Sequence, residues 1–315
     1  DGGGSIRIPS ACCGLVGLKP SRGRVTSGPE ADERLLGFTQ EFIVSRTVRD
    51  AAAMLDAVGG PAPGDPYVIV QPLRPYLEEV GRPVEKLRIA MADRAWTGVA
   101  VESDIVAAVH KTGALCRDMG HEVQSALPQF DVEQFYLAFE VFWGVNLRIA
   151  LDRLAEIMQR PLDADHIEPV IAAIHENAAV FGAGELLAAK EVLNGVRRGV
   201  GAFFQDYDVL LTPTLARFAP PLGTIHMVQD DLEQWGMKTR EYTSFTALFN
   251  ATGLPAVSLP LYHSEAGLPI CMQLVANFGR EDILLRLAAA FEEALPWTGR
   301  TPPIHVSQPG GVKSS

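Results

Sequence analysis

The residues best suited to chemistry stand at the start of the sequence, where Asp1 is followed by Gly2, Gly3, Gly4 and Ser5. Consecutive glycines permit positive φ angles and leave the backbone N–H groups accessible, because no Cβ atom is present. A serine hydroxyl beside several N–H donors is the arrangement that acyl transfer needs, since the hydroxyl attacks a carbonyl carbon and the donors stabilise the oxyanion. This segment therefore predicts a nucleophilic serine next to a backbone oxyanion hole.

A glycine-rich turn also has two other interpretations, a phosphate-binding loop and a tight turn without any catalytic role. The Lys-Ser/Thr ending of a P-loop does not follow these glycines. The continuation, with Ile-Arg-Ile-Pro at 6–9 and Gly-Leu-Val-Gly-Leu-Lys-Pro at 14–20, favours the catalytic interpretation.

These segments resemble the second half of the amidase signature, the hallmark of a family of amide hydrolases that use a Ser-cisSer-Lys triad. Three further segments resemble family motifs and occur in the same order. They are Thr-Val-Arg-Asp-Ala-Ala at 47–52, Asp-Val-Leu-Leu-Thr-Pro-Thr at 208–214, and the stretch 249–274. The middle of the chain, from about 61 to 204, is similar to the family only in length and helical character.

The resemblance implies that Ser5 forms the acyl-enzyme and that the N–H groups of Gly2, Gly3 and Gly4, with that of the serine itself, bind the oxyanion. It requires no metal and no cofactor. The catalytic lysine and the cis-serine of the family lie upstream of the nucleophile, so we expect this chain to be the C-terminal portion of a longer amidase.

Asp1 and Arg7 match positions that, in the family, brace the glycine loop without taking part in the chemistry. We therefore expect these two side chains to support the loop.

A substitute base within the chain would have to be a lysine that burial keeps neutral. Lys19 is the nearest in sequence, but it lies in a Gly-Leu-Lys-Pro motif where the family has a non-catalytic lysine. The other candidates, in polar or amphipathic segments that indicate solvated ammonium groups, are Lys86, Lys111, Lys190 and Lys238. We expect none of them to be the base.

The composition is that of an enzyme with a sizeable core: 315 residues, 47% hydrophobic and 21% charged. The net charge of -11 argues against nucleic acid or an anionic membrane as a partner, and no apolar run is long enough to span a bilayer.

Four scattered cysteines do not form a disulfide framework, which fits a cytoplasmic location. A homodimer is the default expectation.

The pattern along the chain predicts an α/β fold, and the resemblance implies the amidase-signature form: a central mixed β-sheet surrounded by helices, with its N-terminal part missing. We expect one domain over 1–306 and a disordered tail over 307–315. Strands are predicted at 86–91, 121–123 and 209–212, with a hairpin of 256–259 and 269–275. Helices are predicted at 47–58, 103–119, 229–235, 241–250 and 281–295, and a buried turn or short helix at 12–18.

The region 131–204 is predicted to be almost entirely helical, with breaks near 160 and 181. It carries aromatic residues at helical spacing, which most often belong to a core. In the resembled family, helices of this region wall the acyl pocket, so Phe142, Trp143 and Asn146 are candidate substrate contacts.

We therefore expect an amide hydrolase that acts on a small linear or cyclic carboxamide, most similar to bacterial amidases of the 6-aminohexanoate-cyclic-dimer hydrolase type. One alternative is a glutamyl-tRNA amidotransferase A-type subunit, although those subunits usually have Thr-Gly-Gly-Ser at the nucleophile. A second alternative, from a different class, is a non-catalytic pseudoenzyme fragment.

Overall fold

The strands of the protein form one mixed sheet in a computed structural model that describes residues 1–66, 68–163, 165–228, 231–302 and 305. They are β1 (Val16–Lys19), β2 (Val44–Ser45), β3 (Arg88–Met91), β4 (Glu122–Ser125), β5 (Val209–Pro213), β6 (Ala256–His263) and β7 (Pro269–Ala276). Their order across the sheet is β2-β1-β6-β7-β5-β3-β4. Strands β5, β3 and β4 are parallel, and the other neighbours are antiparallel. The prediction of an α/β fold with a central mixed sheet is confirmed.

The helices are α1 (Arg7–Cys13), α2 (Val48–Val58), α3 (Ser103–Asp118), α4 (Val132–Met158), α5 (Pro169–Asn177), α6 (Ala183–Asp206), α7 (Leu232–Thr243), α8 (Ala247–Thr252) and α9 (Glu281–Ala294). Helices α2, α3 and α9 agree closely with their predicted spans. The start of α2 shows why its prediction was accurate, since the Thr47 hydroxyl accepts a hydrogen bond from the Asp50 N–H at 3.0 Å.

The segment 12–18 differs from its prediction. Helix α1 begins earlier, at Arg7, and ends where Gly14 adopts a φ of 67°. Residues from Val16 onward form β1 because this strand pairs on one side with β2 and on the other with β6. A four-residue strand that is buried on both faces has no alternating pattern by which the sequence could reveal it.

Two other predicted helices, 229–235 and 241–250, have different bounds. Residues 241–243 belong to the end of α7, residues 244–246 form a turn, and α8 occupies Ala247–Thr252. Helix α7 begins after Asp231, whose carboxylate accepts from the Gln234 N–H at 2.8 Å, and it extends to Thr243. Positions 229 and 230 lie outside the described residues, as does the predicted tail 307–315.

Two hydrophobic layers enclose the sheet, because alternate side chains of each strand point to opposite faces. In β5, Val209 and Leu211 pack with helices α2, α3 and α9, whereas Leu210 packs with α4, α6 and α8. Helix α1 contacts β1, β6 and β7, and its residue Ala11 packs on Cys271 of β7.

No single helix within the described residues is long and apolar enough to cross a membrane. One bent pair, Pro169–Val180 with Ala183–Asp206, meets the test by length and composition only.

Candidate active site

The glycine loop, residues 1–5, leads directly into α1 and exposes its serine. Ser5 is exposed, while Gly2 and Gly4 are buried. Ser5 is therefore accessible from solvent just before the short helix α1, which contacts the sheet and buries Arg7, Ser10 and Ala11.

Four consecutive backbone N–H groups of this loop have no hydrogen-bond acceptor among the described residues. Within the part of the chain that the structure describes, no hydrogen bond is donated by the N–H groups of Gly2, Gly3, Gly4 or Ser5. The next two N–H groups differ, because those of Ile6 and Arg7 donate to the Asp1 carboxylate. Unpaired N–H groups beside an accessible hydroxyl are the donors that an oxyanion requires.

An ion pair that is wholly buried joins the first residue of the loop to the first residue of α1. Arg7 Nη2 lies 2.9 Å from Asp1 Oδ1, and neither side chain is exposed. Arg7 Nε also donates to Asp1 Oδ2 at 3.1 Å, so the contact is bidentate. Burial lowers the pKa of Arg7 to about 9, which leaves its guanidinium charged at neutral pH.

The remaining donors of Arg7 are satisfied by residues far away in the sequence. Nη1 donates to the Thr246 carbonyl at 3.0 Å and to Gln273 Oε1 at 2.8 Å. Nη2 also donates to Asn250 Oδ1 at 2.6 Å. All five N–H bonds of the guanidinium thus have acceptors, as a buried arginine requires. Arg7 therefore ties the loop to α8 and to β7.

The backbone at Gly4 leaves no room for a side chain. Its φ is +144°, and a Cβ atom there would lie 2.3 Å from Ile8 Cδ1 and 2.6 Å from Thr246 Oγ1. The Thr246 hydroxyl donates to the Gly3 carbonyl at 2.6 Å. Glycine is therefore required at this position by both conformation and space.

Two aromatic rings of α4 cover the loop. Trp143 Cζ3 lies 3.2 Å from the position that a Cβ on Gly2 would take, and Phe139 Cζ lies 3.4 Å from the equivalent point on Gly3. The two rings stack on each other with centroids 5.9 Å apart. The structure thus brings Trp143 to the loop, together with Phe139, which was not among the candidate contacts.

The other two candidate pocket residues have different surroundings. Phe142 is 2% exposed and packs in the core, where its ring stacks on Phe38 at 5.2 Å. Asn146 is half-buried, and its Nδ2 donates to the Phe142 carbonyl one turn earlier in α4, at 2.7 Å. The described contacts do not bring either side chain to the glycine loop.

Lys19 is the lysine whose surroundings stand out. It is fully buried at the end of β1, and burial, with smaller contributions from the nearby Arg7 and Arg22, holds the pKa of its ammonium well below the usual value. Its Nζ donates to the Pro20 carbonyl at 2.8 Å, and among the described residues no hydrogen bond joins it to Ser5. Lys86, in contrast, is exposed and paired with Glu122.

Thr246, Asn250 and Gln273 were not identified as site residues from the sequence. Two of them lie within the stretch 249–274 that resembles the family, but nothing local in the sequence connects them to the first seven residues. Their side chains become partners of the loop only because α8 and β7 pack against α1.

Comparison with known proteins identifies the family of the chain. The family model described as Amidase matches residues 1–285, and the chain belongs to this family, as the sequence resemblance predicted. The chain is 33% identical over 312 residues to a 6-aminohexanoate-cyclic-dimer hydrolase of Paenarthrobacter ureafaciens, covering 96% of the chain and 63% of that protein. It is 34% identical over 300 residues to a putative amidase, AmiC, of Mycobacterium leprae, covering 94% and 61%.

A solved structure of 6-aminohexanoate cyclic dimer hydrolase has a TM-score of 0.89 to this chain at 33% identity. The match covers 96% of this chain and 65% of that one. The chain therefore has the fold of these enzymes, and it spans less than two thirds of the length of the relatives that it matches.

Proposed function

We propose that the protein encoded by the natural gene is an amide hydrolase with Ser5 as its nucleophile. The observation that carries the proposal is the set of four N–H groups, Gly2 to Ser5, that donate no hydrogen bond within the described part of the chain and adjoin the exposed Ser5. Membership of the amidase family and the close match to a hydrolase of a small cyclic amide support the same reaction.

In the proposed reaction, Ser5 Oγ attacks the carbonyl carbon of a carboxamide, and the N–H groups of Gly2, Gly3, Gly4 and Ser5 stabilise the oxyanion that forms. The C–N bond then breaks, the amine leaves with a proton, and water releases the acid from the seryl ester. Asp1 and Arg7 hold the loop in shape and do not touch the substrate.

The proton relay belongs to a segment outside this chain in our proposal. Ser5 needs a neutral base. The buried Lys19 donates instead to the Pro20 carbonyl, and among the described residues no hydrogen bond joins it to Ser5. We assign the base to a lysine, and the proton transfer to a cis-serine, both in a sequence upstream of Asp1.

The proposed substrate is a small linear or cyclic amide, and we place Trp143 beside its acyl group because that ring lies against Gly2. Neither a cofactor nor a metal takes part. A cytoplasmic location, a homodimer and the exclusion of nucleic-acid and membrane partners stay predictions.

The test compares the protein from its natural gene with a Ser5→Ala variant. Hydrolysis of 6-aminohexanoate cyclic dimer and of a panel of linear amides is followed by amine release, and labelling by a fluorophosphonate is mapped by mass spectrometry. We expect activity and an adduct on Ser5, with both lost in Ser5→Ala. Ser103→Ala is the matched control, because Ser103 is also exposed and begins helix α3.

An adduct that survives Ser5→Ala would show that another residue is the nucleophile. A wild-type protein that neither turns over amides nor reacts with the fluorophosphonate would favour the non-catalytic alternative.

A further inference from the structure

The peptide that joins Gly3 to Gly4 is held from its carbonyl side by Thr246. The hydroxyl donates to the Gly3 carbonyl at 2.6 Å, and Thr246 is fully buried. In a trans peptide the C=O and the following N–H point in opposite directions. The bond to Thr246 therefore directs the Gly4 N–H away from Thr246, and among the described residues this N–H has no hydrogen-bond acceptor.

Such an anchor has a physical purpose in a glycine loop. A peptide between two residues flips when the ψ before it and the φ after it rotate together, and no Cβ opposes that rotation when both residues are glycines. The conformation that makes the N–H groups accessible thus also makes their orientation poorly defined. A hydrogen bond to the carbonyl is the direct way to select one orientation.

We propose that Thr246 is a positioning residue that orients the Gly4 N–H for the oxyanion. The inference rests on the proposed function in that it assigns this N–H to the oxyanion hole. Thr246 is itself held in place, because its carbonyl accepts from Arg7 Nη1 at 3.0 Å. The same ion pair that joins the loop ends thereby fixes the anchor.

A second carbonyl of the loop is held in the same manner. The Asp1 carbonyl accepts from Asn250 Nδ2 at 2.6 Å and from the Gln40 N–H at 3.1 Å. This orientation directs the Gly2 N–H away from α8 by the same trans-peptide argument. Helix α8 and the residue before it therefore hold two carbonyls of the loop and, in this proposal, orient the N–H groups that follow them.

The test uses three variants of the protein from its natural gene. Thr246→Val removes the hydroxyl at nearly constant volume, Thr246→Ser keeps it, and Thr112→Val is a matched control. Thr112 is fully buried and its hydroxyl donates to the Ala108 carbonyl at 2.8 Å, within α3. Each is measured for kcat and KM per folded molecule on an amide substrate, and crystal structures of the wild type and of Thr246→Val give the orientation of the Gly3–Gly4 peptide.

We expect Thr246→Val to lower kcat by about a hundredfold with little change in KM, since losing one oxyanion donor has an effect of about this size. Thr246→Ser should restore most of the activity, and Thr112→Val should retain it. A rotated Gly3–Gly4 peptide in Thr246→Val supports the proposal even when the wild type proves inactive, so this readout is independent of the proposed function.

An unchanged kcat in folded Thr246→Val, a serine variant as impaired as the valine variant, or a Gly3–Gly4 peptide that keeps its orientation would each overturn the proposal. Should the valine variant not fold, Thr246→Ala, which also lacks the hydroxyl but adds no methyl group, is measured in its place.

Discussion

Arg7 Nη2 and Asp1 Oδ1 lie 2.9 Å apart with both side chains fully buried, and this ion pair joins the start of the glycine loop to the start of α1. The four residues with unpaired N–H groups lie between them. A loop that must expose its donors cannot use those donors to hold its own shape. The ion pair provides that shape through side chains, and the backbone between its ends stays available.

We expect Arg7→Lys to lower the free energy of unfolding by about 3–5 kcal/mol, because an ammonium cannot reach five acceptors and leaves buried polar groups unpaired. The control is Arg34→Lys, since Arg34 pairs with Glu41 at 3.0 Å where both side chains are about half exposed. That change should cost less than about 1 kcal/mol. Urea unfolding of both variants measures the difference, and equal losses would contradict the bracing role of Arg7.

Gly4→Ala is expected to lower kcat by about a hundredfold or more, because a displaced loop misplaces its oxyanion donors. The added methyl group would meet Ile8 Cδ1 at 2.3 Å in a backbone conformation with φ at +144°. Gly195→Ala is the control: Gly195 is exposed in α6 with no atom within 4 Å of the added Cβ. This control should stabilise the protein by about 1 kcal/mol and keep its activity. Retained activity in Gly4→Ala would exclude this loop as the oxyanion hole.

Phe142 and Trp143 are neighbours in α4, and we expect opposite consequences of their truncation. Phe142→Ala should lower the free energy of unfolding by about 3–5 kcal/mol, since it creates a cavity beside Phe38. Trp143→Ala should chiefly lower kcat/KM and alter the ranking of amides that differ in acyl size, because its ring lies against Gly2. Thermal unfolding and steady-state kinetics of both variants test this. An unchanged amide ranking in Trp143→Ala would remove it from the substrate pocket.

The contiguous part of the proposed site is the part that the sequence can indicate. Ser5 and its glycines are adjacent, and together with the motifs at 6–9 and 14–20 they predict a nucleophilic serine beside an oxyanion hole. The partners of Arg7 are separated from it by 239 residues at Thr246, 243 at Asn250 and 266 at Gln273. Their approach depends on how α1 packs against α8 and β7, which no local pattern encodes.

The same distinction applies to the fold. Helix α2 was predicted with nearly its final bounds because its start carries a capping threonine, Thr47, and two glycines follow its end. Strand β1 was missed because all four of its residues are buried, so the alternation that identifies a half-buried strand is absent. Partners across the sheet decide the conformation of such a segment.

Lys19 should make the stability of the protein depend on pH in the alkaline range. Burial, the main cause, and the charges of Arg7 and Arg22 hold its pKa well below the usual 10.5. Between that lowered value and 10.5, the unfolded chain binds a proton that the folded chain does not, so this residue makes stability increase with pH. The cost of burying Lys19 therefore disappears above about pH 10.5 and grows as the pH falls, by at most about 1.4 kcal/mol per pH unit.

Lys19→Met removes the titrating group, so the stability of this variant relative to the wild type should be greater at pH 8 than at pH 10. Urea unfolding at the two pH values measures this difference, with Lys111→Met as the exposed control. A difference between Lys19→Met and wild type that is the same at both pH values would mean that Lys19 keeps its proton in the folded protein.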